Sequence, residues 1–253
     1  NQPCLVVGGG QVAYRKVMTL LDFDAAERKA LLETLQEYSL PCDDAALTRY
    51  HEINAALWAE LNKGKLRREK LVVERFDKFA KEFHCDTKAV DLNRTYTEHL
   101  ATHADVIPGA EEVLHELSEV ATMIAVSNGT ESVERGRLKL SGFEKYFDDV
   151  FISEAVGIAK PNPKIFQLAM RKLGIEQVDK VLVVGDSLSA DIQGGINAGL
   201  DTCWVNANHA ENESGLTPTY EVSALQELYP IVMEEDELQN IGLKNRKHQN
   251  DIV

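Results

Sequence analysis

The sequence predicts an α/β protein: a doubly wound parallel sheet carrying an all-helical cap. Two textures predict it. Residues 107–206 alternate short, continuous apolar runs with helical spacing, the pattern of parallel strands covered on both faces. Residues 22–104 are almost free of Gly and Pro and place apolar residues at helical intervals, as in Ala30, Leu31, Leu35 and then Leu57, Leu61.

The elements follow in order, without internal repeats. Residues 1–21, NQPCLVVGGGQVAYRKVMTLL, read as an apolar strand, a triple glycine and a helical pattern, an atypical opening that joins the core. Residues 22–104 form the cap, with helices expected at 24–38, 43–62, 66–83 and 87–103 and breaks near Gly64 and Cys85. Asp24 followed by Glu27 fits a capping box, and Pro41 with Asp43 and Asp44 marks the second helix start. Residues 105–232 form the α/β core: MIAVSNG, a helix from Ser132, VFIS, a helix after Pro163, VLVVGD, a helix from Ala190, and TCWVN. Gly142, Gly174 and Gly199 stand where helices should end in left-handed caps. Residues 233–253 are a polar tail, a frayed helix or disordered end.

With 253 residues, 44% hydrophobic and 27% charged, the chain can bury one or two ordinary cores, and its composition excludes a collagen, a coiled coil or a disordered protein. Lys plus Arg number 27 against 41 Asp plus Glu, a formal charge of −14 that repels nucleic acid and anionic membranes. The expected partner is therefore a small molecule, with no nucleic acid and no membrane. No apolar run approaches the roughly 20 residues of a membrane helix. Cys4, Cys42, Cys85 and Cys203 show no Cys-x-x-Cys spacing, which predicts free thiols in a reducing compartment. The expectation is a cytoplasmic protein, monomer or homodimer. Residue 1 is Asn rather than Met, which predicts a processed chain or a fragment.

In parallel sheets ligands bind beyond the carboxyl ends of the strands, so the polar residues there are the ones that count. Three such ends present Ser127-Asn128-Gly129, Lys160-Pro161, and Gly185-Asp186-Ser187 with Asp191. A Ser hydroxyl and adjacent backbone N–H groups can hold phosphoryl oxygens, a Lys supplies fixed positive charge, and two carboxylates recruit a hard cation such as Mg²⁺. Taken singly, each has a plain reading: a turn, a loop lysine, or a helix cap from Asp186, Ser187 or Ser189. Their joint order at successive strand ends points to a phosphate and metal site.

On these residues the chain resembles the haloacid dehalogenase (HAD) superfamily of phosphohydrolases, from about residue 20 to 230. Ser127 matches the second motif of the family, Lys160 in VGIAKPNPKIF the third, and Asp186 with Asp191 in VGDSLSADIQGGINAGL the fourth. The segments GLDTCWVNA, ISEAVGIAKPNPKIF and LWAELNKGKL look closest to the pyrimidine 5′-nucleotidases, which dephosphorylate ordinary and noncanonical nucleoside monophosphates. The resemblance implies a HAD-like, Rossmann-type core and a cap that closes over the site and selects substrate. It also implies Mg²⁺ on Asp186 and Asp191, phosphate bound by Ser127, Asn128, Gly129 and Lys160, and catalytic roles for Lys160 and Ser127. Trp58 and Tyr50 are candidates to stack on a base, although their helical spacing reads as core.

The chain departs from the family at its first motif, Asp-x-Asp-x-Thr, in which the first Asp attacks phosphorus and the second shuttles a proton. No such motif occurs. Relatives carry it just before a segment like LLDF, which aligns Thr19 with the motif threonine and leaves Arg15 and Val17 where the aspartates belong. Neither can do that chemistry, so turnover should be very low. Asp22-x-Asp24 mimics the motif, yet Ala26 replaces its Thr and Asp24 suits a helix cap. The replacing segment, CLVVGGGQVAYRK, resembles the NAD-binding opening of precorrin-2 dehydrogenases, with Gly8, Gly10 and Ala13 in a Gly-x-Gly-x-x-Ala turn. A dinucleotide site also needs the next strand and an acidic residue about 20 positions on. Here a helical segment follows, and the turn reads as a vestige. The change of texture at residues 19–23 predicts a junction between two unrelated coding segments, with CLVV able to fill the central strand position. Three functions remain open: a nucleotidase, an inactive phosphate binder, and a dehydrogenase fragment.

Overall fold

The computed structural model describes residues 4–9, 20–21, 23–62 and 65–233, with side chains at 20–21, 25–61 and 65–233. Six parallel strands form one sheet in the order β3-β2-β1-β4-β5-β6. They are β1 (Cys4–Gly9), β2 (Thr122–Ser127), β3 (Asp149–Ile152), β4 (Val181–Gly185), β5 (Asp201–Val205) and β6 (Tyr220–Val222). The strand order reverses at β1, which lies between β2 and β4. Such a reversal is where parallel sheets open a binding crevice.

Side-chain alternation makes the sheet two-faced, as a pleat requires. In β4, Leu182 and Val184 join one core with Met123 and with helix α5 (Ala110–Ser118) through Val113, Leu114 and Leu117. Val181 and Val183 join the opposite core with Ile124, Val126 and, beyond the one-turn helix α7 (Ser153–Val156), helix α8 (Lys164–Lys172) through Ile165, Phe166, Ala169 and Met170. Burying each such Leu, Ile or Phe side chain contributes roughly 1.5–3 kcal/mol, which explains the unbroken apolar run of VLVV.

Between β1 and the remaining strands four helices pack on one another: α1 (Phe23–Glu37), α2 (Asp44–Asn62), α3 (Arg68–Glu82) and α4 (Ala89–Leu100). Their centre is aromatic, with Tyr50 against Phe76, Phe79 and Tyr96 at ring separations of 5.3, 6.0 and 6.4 Å. Two chain crossings join the helical unit to the sheet. Leu21 and Val106 form an antiparallel bridge, and the Ile107 N–H donates to Leu20 O at 3.1 Å. Among the described residues, no helix is long and apolar enough to cross a membrane.

Among the described residues the expected elements recur within a few residues, and Gly142, Gly174 and Gly199 sit at φ of 73°, 67° and 72°, while the helical pattern expected after the triple glycine lies outside the described residues. Asp43 caps α2 by accepting the Ala46 N–H at 2.8 Å. The helix start expected at Asp24 is corrected: α1 begins at Phe23, so Asp24 lies inside the helix. The Asp24 side chain lies outside the described residues, and the buried Glu27 accepts from Tyr96 Oη at 3.3 Å. The tail from residue 234 lies outside the described residues.

Candidate active site

The carboxyl ends of β2 and β4 and the loop before α8 meet beside the end of β1. At β2 the chain turns sharply, and the Gly129 N–H donates to Ser127 Oγ at 2.9 Å. The Asn128 side chain clasps the Lys160 loop in both directions: Asn128 Nδ2 donates to Lys160 O at 2.9 Å, and the Lys160 N–H donates to Asn128 Oδ1 at 2.8 Å. Two reciprocal amide bonds fix the loop to the strand, across the cis Lys160–Pro161 bond. Lys160 Nζ then reaches inward and donates to Val126 O and to Asp191 Oδ1, each at 2.6 Å.

Lys160 and Asp191 form an ion pair in which neither side chain is exposed, 0% for both. The geometry comes from a π-helical turn, Leu188–Ile192, in which the N–H groups of Asp191 and Ile192 both donate to Ser187 O. That wide turn carries the Asp191 carboxylate back under β4, where Oδ2 accepts the Ser187 N–H at 3.1 Å. Gly185 is required by this approach, since a Cβ there would overlap the Asp191 carboxyl. Asp186 is the other carboxylate at this strand end; it is partly buried, and its carbonyl accepts from Trp204 Nε1 at 3.0 Å. Ser187 caps the turn by accepting the Ala190 N–H.

Ser127, Asn128, Gly129, Lys160, Asp186 and Asp191 are therefore brought to one place. The two aspartates play different parts: Asp191 is engaged by Lys160 and a backbone N–H, while Asp186 stands at the strand tip. Among the described residues no group of three His, Cys, Asp or Glu is placed to hold a metal ion.

The strand register fixes what stands opposite. Gly9 pairs with Ser127, and continuing the Val7–Val184 pairing by two residues sets Gly9 level with Asp186. Strand β1, CLVVGG, thus brings a glycine and no carboxylate to the point where the other two ends converge. Arg15, Val17, Thr19 and Asp22 lie outside the described residues, as does the Asp24 side chain. The Gly-x-Gly turn is corrected in part: Gly8 continues β1 opposite Val126, while Gly10 and Ala13 lie outside the described residues.

Two side chains join the site that sequence reasoning missed. Glu134, on α6 (Glu131–Ser141), lies beside Ser127 and packs so closely over Gly129 that a Cβ there would overlap its carboxyl. Burial pushes the Glu134 carboxyl above the ordinary glutamate range, while Arg137, Ser127, Lys160 and Arg68 pull the other way. Arg68, at the start of α3, crosses from the cap and donates to Gly129 O at 3.1 Å. Burial lowers its pKa, and the carboxylates of Glu154 and Glu134 oppose that. The spacing of Glu134 seven residues after Ser127 is the one sequence signal available, since the first turns of a helix that follows a strand face back toward the strand end. For Arg68 there is none.

Beside Arg68 a cleft of about 590 Å³ opens between cap and core, lined by Arg75, Asn93 and Arg94 on the cap and Thr130, Ser132 and Glu154 on the core. Such a volume is in the range of small-molecule sites. Tyr50 and Trp58 do not line it: they are 0% and 6% exposed, inside the helical core.

A profile of haloacid dehalogenase-like hydrolases matches residues 13–199. The chain belongs to this family. It is 38% identical over 211 residues to the pyrimidine 5′-nucleotidase PynA of Streptococcus pneumoniae, covering 83% of this chain and 89% of that one. Its identity to the pyrimidine 5′-nucleotidase YjjG of Escherichia coli is 36% over 214 residues, with 85% and 93% covered. The magnesium-bound crystal structure of the Bacillus subtilis HAD-hydrolase YfnB superposes with a TM-score of 0.83 at 32% identity, covering 92% of this chain and 99% of that one. As a HAD-family hydrolase, the chain shares its fold with that structure over 92% of its length.

Proposed function

We propose that this chain is a 5′-nucleotidase scaffold that binds nucleoside monophosphates, pyrimidine and noncanonical, in the cytoplasm, and turns them over very slowly. The observation that carries the reading is the convergence of Ser127, Asn128, Gly129 and the Asp191-held Lys160 at the end of a strand that bears no carboxylate. In this reading the Ser127 hydroxyl and the backbone N–H groups beyond it orient phosphoryl oxygens, and Lys160 supplies positive charge from below. The nucleoside extends along the cleft beside Arg68. Similarity to PynA and YjjG supports the substrate class.

The donor chemistry fits Mg²⁺ in a minimal form. That ion takes one or two carboxylates and completes its shell with water and substrate phosphate. Asp186 would hold it, with Asp191 acting through Lys160, and when bound the ion would neutralise phosphoryl charge. A nucleophile is what the strand end lacks. With no carboxylate on β1, no aspartyl-phosphate can form there, and loss of a nucleophile typically lowers the rate by orders of magnitude.

The test is phosphate release from a panel of nucleoside monophosphates with Mg²⁺. It compares the chain with two repaired versions, Arg15→Asp with Val17→Asp, and Gly9→Asp. Release by a repaired version alone is expected and names the register. Brisk release by the unaltered chain would overturn the reading. Binding of substrate without release in all three would favour a purely binding role, for which the missing carboxylate is the specific observation.

A further inference from the structure

We propose that Glu134 is a built-in competitor for the phosphate cradle, a specificity-determining carboxylate that must be displaced or protonated before the Ser127–Gly129 turn can receive a phosphoryl group. The inference rests on the phosphate-binding reading above.

Ser127 has one hydroxyl proton and two lone pairs. Its oxygen already accepts the Gly129 N–H at 2.9 Å, and the Glu134 carboxylate lies beside it. One backbone donor that a phosphoryl oxygen would use, the Gly129 N–H, is therefore engaged inside the protein. The carboxylate also covers the turn itself, since a Cβ added to Gly129 would overlap the Glu134 carboxyl carbon and oxygen. A carboxylate presents two acceptor oxygens and negative charge, which makes it a local mimic of one edge of a phosphoryl group.

The surroundings are those of an anion site. Arg68 from α3 donates to Gly129 O and reaches Thr130 Oγ1 at 3.5 Å, and the charges of Arg137 on the same helix and Lys160 in the loop before α8 act on Glu134 from nearby. Glu154 stands beyond Arg68, and Asp191 neutralises Lys160 from behind. Two anions cannot share this cradle without cost, so phosphate entry requires Glu134 either to swing toward Arg68 and Arg137 or to take up a proton and become a donor. The burial that raises its carboxyl favours the second route. Phosphate affinity should then increase as pH falls, until the phosphate itself gains a proton.

The experiment is isothermal titration of inorganic phosphate and of uridine 5′-monophosphate, with Mg²⁺, at pH 5.5 and pH 8. The proteins are the chain as it stands, Glu134→Gln and Glu134→Ala, each checked by a melting curve. Glu134→Gln keeps shape and removes charge. At pH 8 both variants should bind inorganic phosphate about tenfold tighter or better, the scale of one charge-assisted contact, with a smaller gap at pH 5.5. Equal or weaker binding by the variants would overturn the role of Glu134 and leave the phosphate site standing. A gain by Glu134→Gln alone would assign the effect to the new amide and also overturn it. No binding by any of the three would overturn the phosphate-site reading, and the role of Glu134 with it.

Discussion

Replacing Lys160 with Met removes one half of an ion pair that has no access to water. Asp191 would keep the Ser187 N–H at 3.1 Å and lose its ammonium partner at 2.6 Å, and Val126 O would lose its donor as well. Hydrogen bonds to charged groups contribute about 1.5–3 kcal/mol each, and stranding a buried charge raises the total to roughly 3–5 kcal/mol. An exposed pair such as Arg28–Asp44, with side chains 53% and 92% exposed, contributes about 0–1 kcal/mol by comparison. In a protein of this size about 1 kcal/mol moves the melting temperature by roughly 2–4 °C, so Lys160→Met should lower it by about 6–20 °C. Urea unfolding midpoints measure the loss, and the double variant Lys160→Met with Asp191→Asn should recover much of it, because no charge is then left buried. A loss under about 1 kcal/mol, or two single losses that simply add in the double variant, would refute the view that the two groups hold each other.

Gly185→Ala should destabilise by about 1–3 kcal/mol, read from urea midpoints, since its Cβ would meet an Asp191 carboxyl that Lys160 prevents from moving. Native alkylation followed by mass spectrometry should leave Cys203 unmodified while Cys42 and Cys85, which are partly exposed, react. Burial pushes the Cys203 thiol up to about 12 from an ordinary 9.0, a thiolate fraction lower by about a thousandfold. Finally, a carboxyl whose folded pKa lies above its unfolded value contributes fully below that value, and its contribution is lost as pH rises through the folded pKa. Because Glu134 is raised from 4.5, the stability advantage of Glu134→Gln over the unaltered chain should grow between pH 4 and pH 7. A flat difference across that range would show that the carboxyl is not desolvated.

What the sequence reveals follows the range of the forces involved. Strands β2, β4 and β5 are legible because a strand covered on both faces must be continuously apolar, and the cap helices because their apolar residues return at helical spacing. Strand β6, three residues long, carries too little pattern to be read. The gathering of Ser127, Lys160 and Asp186 was legible because each stands at a strand end. The partnership of Lys160 with Asp191 was not, because it depends on a π-helical turn that redirects a side chain five residues after Asp186. The Asp191 carboxylate is paired there with Lys160 and the Ser187 N–H. The seating of Glu134 over Gly129 also depends on three-dimensional proximity, with only its place on the following helix to suggest it.

The two requirements placed on the first strand separate here. Its structural task is met by backbone pairing with β2 and β4, which any short apolar segment of strand propensity can supply, and CLVV does so in full register from Cys4 to Val7. The chemical task that the family resemblance implies needs carboxylates at set register positions, and no amount of correct pairing provides them. Lys160, Asp191, Asn128 and Gly185 hold one another in place through contacts among the described residues of β2, β4 and the loops beside them, so this constellation can persist whether or not phosphorus is ever attacked. On the function proposed above, activity is decided at the end of β1, and carboxylates restored there, on a scaffold whose other groups already stand in position, are the change that tests it.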